Sequence, residues 1–294
     1  MAAALSPVAA ALLRWVAFCG GAVLLGAVAI RIVTAGDPGE TAKARIARLV
    51  HVSAAAILIS AAGRMAQQAL ALASEPAAAW DMVRTLLGTT WGYAWIVQQA
   101  AAVVLAAAPN VVSRPRRGGR WTVLSGALVA AVAIAPAFQG HAIGAPELAV
   151  QAVVSDIAHL VAAGMWMGTL FVLVVAVLPE ADASQAAGLV QRFSPLALTG
   201  AATLGATGVF ATWLHVRQLP LVWGSAYGQV LCVKLAIIAG VVGLGAVNWK
   251  RRSAQLAGAE GVPRLLSTAR AELALGTVAL LATAFLVATP LPGE

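Results

Sequence analysis

Charge is scarce in this chain. Asp, Glu, Lys and Arg together make up 10% of its 294 residues, against 61% hydrophobic, too little polar surface to cover a water-soluble domain of this length. Cysteine is scarcer still. Cys19 and Cys232 are the only two, each inside an apolar run, so neither a disulfide framework nor a CxxC metal motif is indicated and both read as buried free thiols. No Walker-type loop and no soluble nucleotide-hydrolysing segment occurs in the chain, which removes ATP hydrolysis as its own driving force.

What remains is apolar length. Runs of about 20 hydrophobic residues recur along the chain, enough to cross a hydrocarbon core of roughly 30 Å, and an all-α, polytopic membrane protein follows. Eight helices are predicted, at about 8–31, 46–73, 91–108, 121–138, 150–178, 195–215, 226–249 and 270–289. The first is not read as a signal peptide, because no Lys or Arg precedes Arg14 and the run continues to about Ile30. The chain reads as one transmembrane unit over 1–294, with four helices in 1–138 and four more in 139–294.

Orientation comes from the basic residues. Lys43, Arg45 and Arg48 fall at the first connection, Arg114, Arg116, Arg117 and Arg120 at the third, and Lys250, Arg251, Arg252 and Arg264 at the seventh. Short basic connections stay in the cytoplasm, so both termini are expected to face the periplasm. The same clustering accounts for the net charge of +8, so the partner implied is the lipid bilayer and no nucleic acid is called for. His141 then lies in an outer connection, Asp156 and His159 one to two turns into helix five, and His215 at the outer end of helix six. His51 is placed near the cytoplasmic end of helix two.

Most of the chemistry falls between Gly140 and Gly168. Residues three apart share a helix face, so Asp156 and His159 stand one turn apart, with Ala163 and Met167 continuing the stripe inward. Ionisable groups at that depth are costly without a role or a partner. Imidazole and thioether together suit copper, thioether favouring Cu(I), and the candidate metal ligands are His141, Asp156, His159, His215 and Met167. Arg64, Lys234 and Glu272 are buried charges that either pair, snorkel or line an ion path. Thr199, Thr203 and Thr207, and Gly240, Gly243 and Gly245, read as packing faces. Six of the nine tryptophans (Trp91, Trp95, Trp121, Trp213, Trp223 and Trp249) read as an interfacial belt, and Trp166 as a packing residue.

Several motifs resemble the copper-resistance D (CopD) family of inner-membrane proteins. They are GHA at Gly140–Ala142, D-x-x-H-x-x-A-x-x-x-W-x-G from Asp156 to Gly168, RFSPLAL from Arg192 to Leu198 and YG-x-x-L-x-x-K from Tyr227 to Lys234. Asn248 and Glu272 complete the set, which spans about 139–289, while the first four helices match in kind only. The resemblance implies an eight-helix, multi-pass protein of the cell inner membrane that moves copper from periplasm to cytoplasm. It also implies a periplasmic carrier of the CopC kind, expected as a separate partner because this chain shows no such soluble domain and no Met/His-rich tail.

The leading expectation is therefore a copper permease, not an enzyme, with the copper ion as cargo. Copper is captured outside by His141, Asp156 and His159, with His215 a fourth candidate, and passed inward past Met167. Capture weakens as external pH falls below roughly 6, because only neutral imidazole ligates. Two alternatives stay open: a haem-b oxidoreductase ligated by His159 and His215, and a metal-binding assembly or sensor subunit without transport.

Overall fold

In the computed structural model, which describes residues 6–114, 119–140, 148–215, 220–252 and 261–289, every regular element is helical. Helix α1 (Pro7–Val33) begins at a capped start: the Ser6 hydroxyl accepts from the Ala9 N–H at 3.3 Å and Pro7 occupies the first turn, where its missing N–H leaves nothing unpaired. A turn with Ala35 and Gly36 at positive φ leads into α2 (Glu40–Leu72). The short α3 (Ala79–Leu87) precedes α4 (Thr90–Ala107), α5 (Asn110–Ser113) and α6 (Gly119–Ile134). A long rod follows, built from α7 (Ala149–Ala163), a π-helical stretch Gly164–Gly168, α8 (Thr169–Val172) and a second π stretch Leu173–Val177. The remainder comprises α9 (Ala183–His215), α10 (Pro220–Gly224), α11 (Ala226–Arg252) and α12 (Gly261–Ala288).

Among the described residues seven helices are long and apolar enough to cross a membrane: α1, α2, Gly119–Phe138, the rod over Ala149–Glu180, Ala183–Leu214, Ala226–Ala246 and α12. The helix expected over 91–108 forms as α4, an 18-residue helix packed on α2 and α6, and it is not one of these seven. Gln98 and Gln99 in its middle make it less apolar than the rest. Gln98 is 1% exposed and donates to Val132 O of α6 at 3.1 Å, so the polarity is turned inward.

Three helices start earlier than their apolar runs. α2 begins at Glu40 and not near 46, α9 at Ala183 and not near 195, and α12 at Gly261 and not near 270. Hydrophobicity marks the part that lipid can cover, whereas the helix itself continues outside it, and at α2 polar pairs hold that extension. Lys43 reaches Asp37 and Glu40 at 2.9 Å each, Arg45 reaches Glu180 at 2.6 Å, and Arg114 pairs with Glu40. Hydrogen bonds from Lys43 and from the Gly39 N–H, and the Lys43 charge, hold the Asp37 carboxyl below its ordinary range. These pairs are exposed and individually weak, but together they tie the α1–α2 turn, the end of the rod and the start of the α5–α6 connection to one end of the bundle.

α1 runs through the middle, packed on α2, α6, α12 and the rod. Its contact with the rod is backbone on backbone. A Cβ added at Gly26 would overlap the carbonyl of Gly168, and one at Gly168 would overlap Ala22 O, while Gly164 lies on Leu25. Small residues supply such contacts in membrane bundles, where burying apolar surface gains nothing against lipid. The π stretch sits at this crossing. Its wider turn, with the Thr169 N–H bonded to Gly164 O, accommodates α1 and shifts the facing of everything beyond it.

The crossing predicts an asymmetric response to alanine. Gly168→Ala is expected to lower the unfolding midpoint of the detergent-solubilised protein, by the equivalent of about 1–3 kcal/mol or more. Gly126→Ala, where an added Cβ meets nothing within 4 Å, is expected to leave the midpoint in place. Equal midpoints for the two variants would contradict the backbone contact.

Candidate functional site

α7 packs along α9, and the fit is set by size. A Cβ at Gly200 would stand 3.0 Å from Trp166 Cβ and 3.1 Å from Ala162 O, so the α9 backbone lies in the groove that the Trp166 side chain, itself 8% exposed, closes. Two turns away on α9, Thr207 meets His159. The ring Nδ1 is 2.8 Å from Thr207 Oγ1.

That bond fixes the ring chemistry. The Thr207 hydroxyl lies 2.7 Å from Thr203 O, the usual back-bond of a helical threonine. A hydroxyl has one proton, so with that proton on Thr203 O the oxygen accepts from Nδ1–H. His159 is then the Nδ1–H tautomer, with the Nε2 lone pair free. An imidazole whose second nitrogen is held by a fixed partner is how proteins orient a metal-ligating histidine. Thr199 and Thr203 make the same i−4 bonds, each at 2.9 Å, so the threonine face that the sequence suggests only for packing also presents an acceptor to α7.

The charges around His159 come from a third helix. Tyr227 and Lys234 stand on α11, two turns apart on one face with Leu231 between them. Asp156 interacts electrostatically with both Lys234 and Tyr227, and Lys234 with His159. The neighbourhood therefore contains a carboxylate, an imidazole, an ammonium and a phenol, drawn from α7 and α11 and steadied by α9. Tyr227 is 7% exposed; its role is not visible in sequence beyond the YG-x-x-L-x-x-K motif.

Met167 belongs elsewhere. Its Sδ is 3.0 Å from where a Gly276 Cβ would stand, and its terminal methyl fills that notch in α12. The straight stripe from His159 to Met167 is thus interrupted: His159 faces α9 and Met167 faces α12, because the π stretch between them changes the turn angle. Glu272, 7% exposed, lies one turn nearer the start of α12 than Gly276, its carboxylate 3.6 Å from the position of a Gly245 Cβ. His141 falls outside the described residues, and so does the side chain of His215, whose backbone ends α9 eight residues beyond Thr207, about 12 Å along the axis. His51 bonds Ala106 O of α4 at 2.7 Å, a structural contact far from this site. Among the described residues no group of three or more His, Cys, Asp or Glu side chains converges as a closed metal cage.

The tautomer is directly measurable. Ring nitrogen shifts of His159 in selectively 15N-labelled protein are expected to show Nδ1–H in the wild type and a mixture of tautomers in Thr207→Val. A wild-type ring protonated at Nε2 alone would remove Thr207 as its orienting partner.

Comparison with known proteins now adds to this geometry. Residues 187–286 match the family described as Copper resistance protein D, and residues 2–146 match the one described as Copper resistance protein D-like, N-terminal domain. The Copper transport protein CutJ of Bacillus subtilis (strain 168) is 31% identical over 215 residues, covering 71% of this chain and 39% of that protein. The chain thus spans about 39% of the length of the curated relative it matches. No solved structure matches it. Taken with the motifs from Asp156 to Gly168 and from Tyr227 to Lys234, the two matches establish that the chain belongs to the copper-resistance D family.

Proposed function

We propose that the chain carries copper across the inner membrane, from periplasm to cytoplasm, with the ion as cargo and not as a resident cofactor. The observation that supports this reading is the His159 ring held through Nδ1 by Thr207, with Asp156 one turn earlier on the same helix. The similarity to a copper transport protein supplies the choice of metal. In this reading α4 is the eighth span, both termini face the periplasm, and the end of the bundle bearing His159 opens outward.

His141 and His215 serve as outer ligands that meet the ion before it reaches Asp156 and His159, with a CopC-like carrier delivering it. Lys234 occupies the carboxylate when cargo is absent and yields to the incoming cation. Charge balance favours that exchange, since a lone carboxylate at this depth is costly. Beyond His159 the thioether of Met167 takes the ion toward α12, a soft ligand suited to Cu(I), and Glu272 lies about 6 Å further along the same face. The haem alternative draws less support, because haem b needs two histidines at one depth and the ends of α7 and α9 offset His159 from His215.

Cellular copper accumulation tests the assignment. His159→Ala and Asp156→Ala are expected to abolish accumulation dependent on this protein at unchanged membrane abundance. Thr207→Val is expected to weaken metal affinity by roughly 10–100-fold, the usual effect of losing a residue that orients a ligand. Wild-type accumulation in both alanine variants would sink the site.

A further inference from the structure

Arg64 lies in α2 and is 8% exposed, yet its guanidinium makes no hydrogen bond and no ion pair among the described residues. Five N–H donors and a full charge are thereby left without an acceptor. Its nitrogens are nevertheless not sealed in: the buried side-chain atoms that lack a partner are those of Gln98, Gln99, Gln139 and Thr169, not those of Arg64. A small group can reach it.

A second guanidinium stands beside the first. Leu13 of α1 packs on Gly63 of α2, its methyl carbons 3.1 Å from where a Cβ would stand, and in an antiparallel pair the next residue on each helix, Arg14 and Arg64, turns to the same side of that contact. Their charges repel each other. No described carboxylate answers them: Asp81 is taken by Arg84 at 3.3 Å, Asp156 interacts with α11, and Glu75 is exposed beyond the end of α2. Trp95 of α4 closes the neighbouring face, donating to Ala61 O at 2.9 Å. Two adjacent, unneutralised cations in an apolar seam are among the most expensive arrangements a protein can hold, unless an anion lies between them.

We propose that Arg14 and Arg64 form a binding site for a phosphate-type oxyanion at the end of the α1–α2 seam nearest Pro7. A tetrahedral oxyanion accepts from two guanidinium forks at once, and arginine is the side chain suited to that bidentate pairing. Arg14 lies seven residues into α1, about 10 Å from the helix start, a depth from which a long side chain reaches the headgroup layer. The phosphodiester of an anionic lipid and free inorganic phosphate share this chemistry.

Thermal unfolding of the purified, delipidated full-length protein in neutral detergent separates the sources. The probes are inorganic phosphate, phosphatidylglycerol in mixed micelles, and diacylglycerol as a phosphate-free control. The midpoint is expected to rise with probe concentration for phosphatidylglycerol alone if the source is lipid, and for inorganic phosphate as well if the site takes the free ion. Arg64→Gln and Arg14→Gln are each expected to weaken the apparent affinity by about tenfold or more. If Arg64→Gln does not fold, Arg14→Gln decides. The proposal is overturned if neither phosphate-bearing probe shifts the wild type, if diacylglycerol does as well as phosphatidylglycerol, or if the shift survives in the folded variants.

Discussion

The backbones of α1 and the rod touch at Gly26 and Gly168, with no room for a side chain between them. In a bilayer this kind of approach substitutes for a hydrophobic driving force, since packing and not burial from water holds helices together. The contact sets the depth of the rod relative to α1 and requires a widened turn at Gly164–Gly168. Everything beyond that turn is rotated from where a regular α-helix would carry it. Trp166 consequently lies against Gly200 of α9, while Met167, the next residue, enters the notch at Gly276 of α12. One crossing thus distributes adjacent side chains of a single motif between two different neighbours.

His159 precedes the crossing and keeps the regular α register, which lets it meet Thr207. A neutral threonine is an unusual choice of orienting partner, since a carboxylate would make the imidazole a stronger base and ligand. Here the carboxylate is one turn away, at Asp156, and its charge is engaged with Lys234 and Tyr227. The division has a physical consequence: the imidazole is oriented without adding a second negative charge to a low-dielectric neighbourhood. In the proposed pathway Asp156 exchanges the Lys234 ammonium for a metal cation. In the proposed pathway this lowers the cost of moving charge, because the sum of charges changes less than the identity of the cation does.

The fold was largely legible from apolar run length, because spanning a bilayer imposes it on every helix. Helix ends were less so: Glu40, Ala183 and Gly261 open their helices in polar stretches that hydropathy does not register. The Asp156–His159 pair could be placed from spacing alone because it lies on regular helix. Met167 could not be oriented, as its facing depends on a π turn at the crossing with Gly26 of α1, some 140 residues earlier in the chain. Thr207 was visible as one of three threonines at intervals of four, but nothing in α9 itself says that a histidine faces it. Spacing within a helix shows what shares a face, and only the partner helix shows what the face is for.

Arg64 and Asp156 show why the partner matters. Both are ionisable, both lie toward the same end of the bundle, and their opposite charges make a pair look natural from sequence. The fold separates them: α2 packs on α1, α3 and α4, whereas α7 packs on α9. Lys234 interacts with the carboxylate, an ammonium on a flexible stem that a metal ion displaces more readily than a bidentate guanidinium. An arginine in that place would hold Asp156 in a fork of two hydrogen bonds and oppose the binding of any cation. Keeping the guanidiniums in the α1–α2 seam leaves Asp156 to Lys234, as the proposed exchange requires, and leaves Arg14 and Arg64 as the positive locus proposed to take an anion.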